Sequence, residues 1–264
     1  MSIIVSGSLA YDRIMNFPGY FSDHILPEKI HVLNVSFTVN GMREKFGGTA
    51  GNIAYGLSLL SEKPVVVATA GQDYYRYFQW LADNHIACDH IKVIPEEFTA
   101  SAYITTDLAD NQITGFNPGA MKYPSDFDFD KVDRRQCTTI IAPGNLQDMM
   151  DYSRACQTKG IAYIFDPGQS LPMWQPEDLL RCIDGSHILI SNDYELELIT
   201  SKTGLDKKRL LKLTNAIVTT LGEMGSHVST PEGEVHIPAV KPRQVQDPTG
   251  AGDAYRAGLI KGLV

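Results

Sequence analysis

The sequence is thin in the features that mark several classes of protein. Its 264 residues include only four cysteines, Cys88, Cys137, Cys156 and Cys182. They are widely spaced and form no CxxC pair, which argues against a disulfide framework or a zinc finger. They read as reduced, mostly core residues. Positive charge is also scarce: 23 Lys and Arg stand against 31 Asp and Glu, for a formal net charge of −8. Nucleic acid and acidic membranes need a concentrated basic surface, so neither is expected as a partner. Long apolar runs are missing too. The N-terminal MSIIVSGSLAYD is too short in apolar residues for a signal peptide. No later stretch reaches bilayer length, so the expected location is cytoplasmic. No GxGxxG opens a helix after the first apolar run, and no Gly-Lys pair occurs, which speaks against dinucleotide-binding and Walker-type loops. What the composition does supply, 43% apolar residues over this length, suits one large α/β domain.

The most informative stretch lies near the C-terminus, in Gln246 to Gly258, QDPTGAGDAYRAG. Pro248 fits the entry to a turn. Gly250, Ala251 and Gly252 form a run of small residues where backbone can approach a ligand with its amides uncovered. Ala254, Ala257, Gly258 and Ile260 then recur at helical spacing, so the loop opens into a helix N-terminus, whose unpaired N–H groups suit phosphate oxygens. Into that cradle the sequence places one carboxylate, Asp253. Beside a polyanion a fixed negative charge is repulsive, unless it serves to take the proton of an alcohol that attacks a phosphoryl group. For an isolated GxGD a helix-start acid behind a turn would be the simpler account. The longer run DPTGAGDA is far more specific.

From the N-terminus, Ile3 to Leu9 reads as a buried first strand, with Asp12 just beyond it. Between His31 and Val39 apolar and polar residues alternate, which predicts a half-exposed strand. Ser101–Thr106 and Gln112–Phe116, joined by the turn-forming LADN, give a second such pair. FGGTAGN, residues 46–52, leads into a helix with an apolar face of Ile53, Ala54, Leu57 and Leu60. Asn52 sits in its first turn, where its amide could cap the helix or hold a ligand. Short apolar strands follow at Val65–Ala70, Thr138–Ala142, Ile161–Phe165, His187–Ser191 and Ala216–Thr220. Helical stretches separate them, notably Gln147–Lys159, which Gly160 should terminate. This alternation implies a mostly parallel, doubly wound sheet with ligands beyond its C-terminal strand ends. Asn192 and Glu195, directly after one such strand, have the spacing of a capping box.

Taken in order, a GxxxxD pattern (Gly7, Asp12), FGGTAGN, NDYE, VTTLGEMGS and DPTGAGDA resemble the motifs of the ribokinase-like (PfkB) carbohydrate and nucleoside kinases. That resemblance implies a ribokinase-like α/β fold over residues 1–264, a doubly wound, mostly parallel sheet with a small β lid in inserted segments about 12–45 and 98–120. It implies ATP and Mg2+ as cofactors, Asp253 as base, and Gly250, Ala251 and Gly252 as the anion hole. Asp12, Gly48 and Asn52 would bind substrate hydroxyls. Asn192, Thr220, Gly222, Gly225 and Thr249 would serve the nucleotide side, with Asn192 and Glu195 positioning magnesium through water. Asp247 could organise a metal or loop hydrogen bonds, or simply belong to a turn. Assistance by a monovalent cation stays open, as does the choice between a monomer and a lid-mediated homodimer.

The runs HILPEKIHVLNVSF, FGGTAGNIAYGL and TTDLADNQITGFNPGAM look most like bacterial adenosine-kinase-like nucleoside kinases. A nucleoside adds a base to the ribose, and Phe116 and Met121 are candidates to meet it, with ordinary lid packing an equal alternative. Where the wider pattern often has an Arg after the acid matched by Asp166, this chain reads DPGQSLP, which disfavours an already phosphorylated sugar. Family members generally continue past the helix that ends here at Val264, so the adenine side is expected to need further segments or an unusual pocket. The expected function is ATP-dependent phosphorylation of a nucleoside 5′-hydroxyl. A kinase for free ribose or a fructose-like ketose, and a kinase-fold binding protein that has lost transfer, remain alternatives.

Overall fold

The structure, a computed structural model, describes residues 2–25, 31–32, 34–244 and 249–264. Among these residues the alternation of short apolar runs and amphipathic stretches folds as a layered α/β domain. Seven strands, β1 (Ser2–Ser6), β4 (Pro64–Gly71), β5 (Ile91–Ile94), β8 (Cys137–Ile141), β9 (Ala162–Phe165), β10 (Ile188–Asn192) and β11 (Ala216–Thr220), pair in parallel. β12 (Ser226–Thr230) and β13 (Gly233–Ile237) extend one edge as an antiparallel hairpin, giving the order β13-β12-β11-β10-β9-β8-β1-β4-β5.

Side-chain alternation along β1 shows why both faces are covered. Ile3 and Val5 point into a core shared with α1 (Thr49–Leu59), α2 (Tyr75–Asp83) and α7 (Ala251–Leu263), through Ile53, Leu57, Tyr77, Leu81 and Ile260. Ile4 points the other way, into the core of α3 (Leu146–Lys159), α4 (Pro176–Ile183) and α5 (Asp193–Thr203), with Met149, Cys156, Leu179 and Ile199. A strand buried on both faces needs a continuous apolar run, which is what Ile3–Val5 provides. α3 stops where expected, with Gly160 in the left-handed region at φ 65°. A one-turn helix, α6 (Lys207–Leu210), precedes β11.

A second sheet has the order β3-β2-β6-β7, from β2 (Ala10–Asn16), β3 (Met42–Gly47), β6 (Ala100–Thr106) and β7 (Gln112–Asn117). β6 and β7 form the hairpin expected around LADN, whose turn is held by the Asp107 carboxylate accepting from the backbone N–H of Ala109 and Asn111, both at 2.9 Å. Two sequence expectations are corrected here. The alternating stretch from His31 to Val39 is not a strand: residues 34–39 join no ladder, and Leu33 lies outside the described residues. One of its apolar residues joins an aromatic cluster instead: the Phe37 ring lies 4.7 Å from Phe17 and 5.4 Å from Phe21. The first strand also ends earlier than Leu9, so that Asp12 lies within β2.

Tyr77 fastens the two sheets' junction. It is wholly buried, and its hydroxyl donates to the Gly47 carbonyl at 2.5 Å. A side chain at Gly51 would collide with that hydroxyl, its Cβ falling only 2.0 Å away. Tyr77→Phe removes the hydrogen bond that this hydroxyl gives a buried carbonyl and is expected to cost about 1 kcal/mol in urea unfolding. Tyr75→Phe, at a ring 71% exposed, should change nothing measurable. Equal midpoints for the two variants would refute the assignment.

Candidate active site

The C-terminal ends of β9, β10 and β11 deliver three polar side chains to one cavity. Asp166 follows β9, Asn192 closes β10, and Thr220 closes β11. Facing them, Gly250 turns the chain into α7 with φ 77°, a conformation that favours glycine. The first described bond of that helix runs from the Ala254 N–H to the Gly250 carbonyl at 2.9 Å. The amides of residues 251–253 precede any intrahelical partner and carry the positive end of the helix dipole. Asp166, Asn192 and Thr220 line a cavity of about 200 Å³ together with Thr49, Pro143, Gly168, Gln169, Glu195, Gly252, Asp253 and Arg256.

The cavity changes the acid–base chemistry of Asp253. Burial pushes its carboxyl up to about 6, with nearby Asp166 adding to the shift, while a hydrogen bond from Asn52 and the charge of Arg256 oppose it. The Asn52 amide donates to the Asp253 carboxylate at 2.8 Å, joining residues 201 positions apart. A carboxylate that exchanges its proton near neutral pH suits general-base work on an alcohol. Asn192 and Glu195 form a complete capping box: the Asn192 side chain accepts from the Glu195 N–H at 2.7 Å, and the Glu195 carboxylate accepts from the Asn192 N–H at 2.8 Å. Burial raises the Glu195 carboxyl, as does Asp166, against that backbone bond and Arg256.

The chain matches the model of the pfkB family of carbohydrate kinases over residues 9–264. It belongs to that family. Among curated proteins it is 31% identical over 244 residues to a nucleoside kinase of Methanocaldococcus jannaschii, covering 90% of this chain and 78% of that protein. Among solved structures it is similar to Burkholderia thailandensis nucleoside kinase in complex with inosine, with a TM-score of 0.85 and 38% identity, covering 99% of this chain and 84% of that one. The same enzyme in its ADP–inosine complex gives a TM-score of 0.82 and 39% identity, covering 99% of this chain and 82% of the other.

In this kinase the remaining expected residues fall into three places. Asp12, in β2, lies against the Gly47 backbone, where an added Cβ would meet its carboxylate at 2.6 Å; burial raises its proton affinity and Lys45 lowers it. Gly48 has φ 88°, and a Cβ there would come within 2.5 Å of the Ser8 carbonyl, so only glycine lets α1 start this close to the sheet. Phe116 and Met121 line an adjoining, mostly apolar cavity of about 330 Å³ with Pro143, Gly144, Gln169, Ser170 and Met173. Pro143 and Gln169 border both cavities. Gly222 and Gly225 lie in the β11–β12 turn, outside the residues lining the Asp253 cavity. A Cβ at Gly225 would sit 2.1 Å from the Ile237 carbonyl, so that glycine shapes the hairpin. Thr249 directly precedes Gly250 and α7, while Asp247 and Pro248 lie outside the described residues.

Sequence reasoning missed Arg256 and gave Asp166 no partner. Their side chains form a two-pronged ion pair, Arg256 Nη2 meeting Asp166 Oδ1 at 2.9 Å and Nε meeting Oδ2. The available signal was Arg256 standing one helical turn after Asp253, on the same side of α7. Among the described residues no cluster of three His, Cys, Asp or Glu side chains could hold a metal, and no helix is long and apolar enough to cross a membrane.

A carboxyl raised by burial carries a stability cost that its amide does not. With the ordinary value at 3.8 and the folded value about 6, the ionised Asp253 destabilises the native state fully above pH 6. The cost fades as pH falls towards 3.8, where both folded and unfolded chains hold the proton. Asp253→Asn, which keeps an acceptor for Asn52, is therefore expected to raise the melting temperature at pH 8, by about 1–3 kcal/mol of stability. The gain should shrink at pH 5; a variant less stable than wild type at pH 8 would contradict this.

Proposed function

We propose that this pfkB-family kinase transfers the γ-phosphoryl group of ATP to the 5′-hydroxyl of a nucleoside. The observation that carries the reading is the pair of adjoining cavities. One is polar and holds Asp253 at a helix N-terminus, and the other is apolar, bordered by Phe116 and Met121. A nucleoside matches that pairing, with a hydroxyl to present at the first and a planar base to bury in the second. The nucleoside kinases to which the chain is similar, one bound to inosine and to ADP–inosine, support the same reading.

In this mechanism Asp253 accepts the proton of the 5′-hydroxyl as the oxygen attacks, and the amides of Gly250, Ala251 and Gly252 meet the charge that spreads over the transferring oxygens. Asn52 orients the Asp253 carboxylate through its hydrogen bond, and with Asp12 and the Gly48 backbone holds the ribose. Thr220, Gly222, Gly225 and Thr249 serve the nucleotide side. Glu195 and Asn192 suit magnesium held through water: Glu195 uses one carboxylate oxygen in the capping box and has the other for a hydrated ion. Magnesium keeps several waters and needs few carboxylates, so this donor set fits it, and the ion would neutralise charge on the phosphates. The whole of residues 1–264 acts as one domain, with the second sheet as lid. The protein works in the cytoplasm, without nucleic acid or membrane as partner.

The test is ADP release with ATP and magnesium against adenosine, inosine, guanosine, cytidine, ribose and fructose. Nucleosides should support turnover and Asp253→Asn should lower kcat by about 10²–10⁴-fold. kcat/KM should fall about tenfold per pH unit below pH 6, as Asp253 takes up its proton. Turnover on bare sugars alone would move the acceptor to a free ribose or ketose. Saturable nucleoside binding without turnover would make the chain a binding protein, and full activity of Asp253→Asn would remove the base.

A further inference from the structure

Arg256 is a cation buried beside the candidate base, and no step of the proposed transfer uses it. It stands 8% exposed and its partner Asp166 1% exposed. All three guanidinium nitrogens are engaged: Nε and Nη2 on the two oxygens of Asp166, and Nη1 on the Gly252 carbonyl at 3.0 Å. Burial alone would weaken the guanidinium's hold on its proton. Asp166, then Asp253 and Glu195, outweigh that and keep it firmly charged.

Stability does not explain such a pair. Replacing a buried ion pair with apolar side chains is often neutral or favourable, because desolvation of two charges offsets their attraction. Its location is more informative. Asp166 is anchored beyond β9, where its N–H donates to the Ile141 carbonyl at 2.9 Å, so the pair ties the first turn of α7 to the centre of the sheet. The contact on Gly252 bears directly on the anion loop. A peptide unit is planar, so a fixed Gly252 carbonyl also fixes the direction of the Asp253 N–H on the same plane.

Resting on the kinase reading above, we propose that Arg256 is a positioning residue for phosphoryl transfer. Through Asp166 and the Gly252 carbonyl it clamps the first turn of α7, so that the loop amides and the Asp253 carboxylate hold their places as charge develops. The clamp also sets the charge that Asp253 faces. Around that carboxylate stand Arg256 on its own helix, Asp166 beyond β9, Glu195 on α5 across the cavity, the neutral Asn52 on α1, and the buried Tyr77 hydroxyl on α2, beside which Asp12 lies on β2. Arg256 favours the ionised carboxylate and Asp166 opposes it.

Those opposite signs give a readout that a purely structural role would not move. In the full chain, kcat and KM would be measured from pH 5 to 9 for wild type, Arg256→Gln, Arg256→Lys and Asp166→Asn, with a melting curve for each. Arg256→Gln should lower kcat about 100-fold, a loss of the size seen when one oxyanion donor is removed, with KM for the nucleoside nearly unchanged. Its acid limb should move to higher pH, and that of Asp166→Asn to lower pH. Arg256→Lys keeps the charge and should keep the limb near wild type. It should still turn over about 10-fold slower, because one ammonium cannot hold Asp166 and Gly252 with a planar fork. Unshifted limbs in folded Arg256→Gln and Asp166→Asn, or kcat of Arg256→Lys equal to wild type, would overturn the proposal. Should Arg256→Gln not fold, the other two variants decide by the same criteria. Wild-type chain without nucleoside turnover would instead remove the kinase reading on which the proposal stands.

Discussion

The close approach of α1 to α7 is the contact on which the site depends. Gly56 faces Ala257 at the crossing, and a Cβ at Gly56 would lie only 2.7 Å from that of Ala257. Without a side chain there, the two helices come near enough for Asn52 to reach Asp253. α1 is itself held at its start. The Thr49 N–H donates to the Ser8 hydroxyl at 3.1 Å, the Thr49 hydroxyl to the Pro143 carbonyl at 2.7 Å, and the Ala50 N–H to the Ser8 carbonyl at 3.0 Å. These bonds pin α1 to the ends of β1 and β8. Helix α7 is then located twice, by α1 on one side and by Asp166 on the other. Two fixed points make the position of the Asp253 carboxylate a property of the whole sheet.

That arrangement gathers groups whose burial is unfavourable. Asp253 and Glu195 both keep their protons more tightly than free carboxyls, mainly through desolvation, and Asp166 and Arg256 are nearly sealed from water. Each such group costs free energy unless it is paired and hydrogen-bonded. Here Asp166 has two bonds to one guanidinium, Glu195 has its backbone partner, and Asp253 has Asn52. The two apolar cores on either face of the sheet supply the offset. A low-dielectric cavity with fixed charges and dipoles strengthens every electrostatic contact made inside it, which suits phosphoryl transfer better than stability.

Much of this was legible in the sequence because it is local. The parallel strands were visible as short apolar runs, α3 and its terminating Gly160 as a periodic stretch with a stop, and the capping box of Asn192 and Glu195 as a spacing. The loop from Gly250 to Asp253 announced itself by small residues before a helix. Less legible was whatever needs two distant segments. Arg256 and Asp166 are 90 positions apart, and Asp166 alone reads as one acid after one strand. The stretch from His31 to Val39 misled for a related reason. Alternation is the signature of a strand, but here residues 34–39 join no ladder and Phe37 packs on Phe17 and Phe21, and only the partners distinguish the two cases.

Register carries a further consequence that no motif contains. Across the second sheet Asp12 is paired with Lys45 on one side and Ala102 on the other, and Ala102 with Phe116. Residues opposite one another in a ladder share a face, so Asp12 and Phe116 project from the same face of the sheet with one strand between them. Two strand spacings separate them by about 9–10 Å. On the proposed reading, ribose at Asp12 and base at Phe116 would use that separation, whereas a bare sugar beside Asp12 would leave the aromatic ring, 51% exposed, without contact. Slipping β7 by one residue against β6 would turn Phe116 to the opposite face while leaving Asp12, Asn52 and Asp253 in place. On that reading, preference for a nucleoside over a free sugar would reside in the pairing of β6 with β7 and not in the residues proposed for phosphoryl transfer.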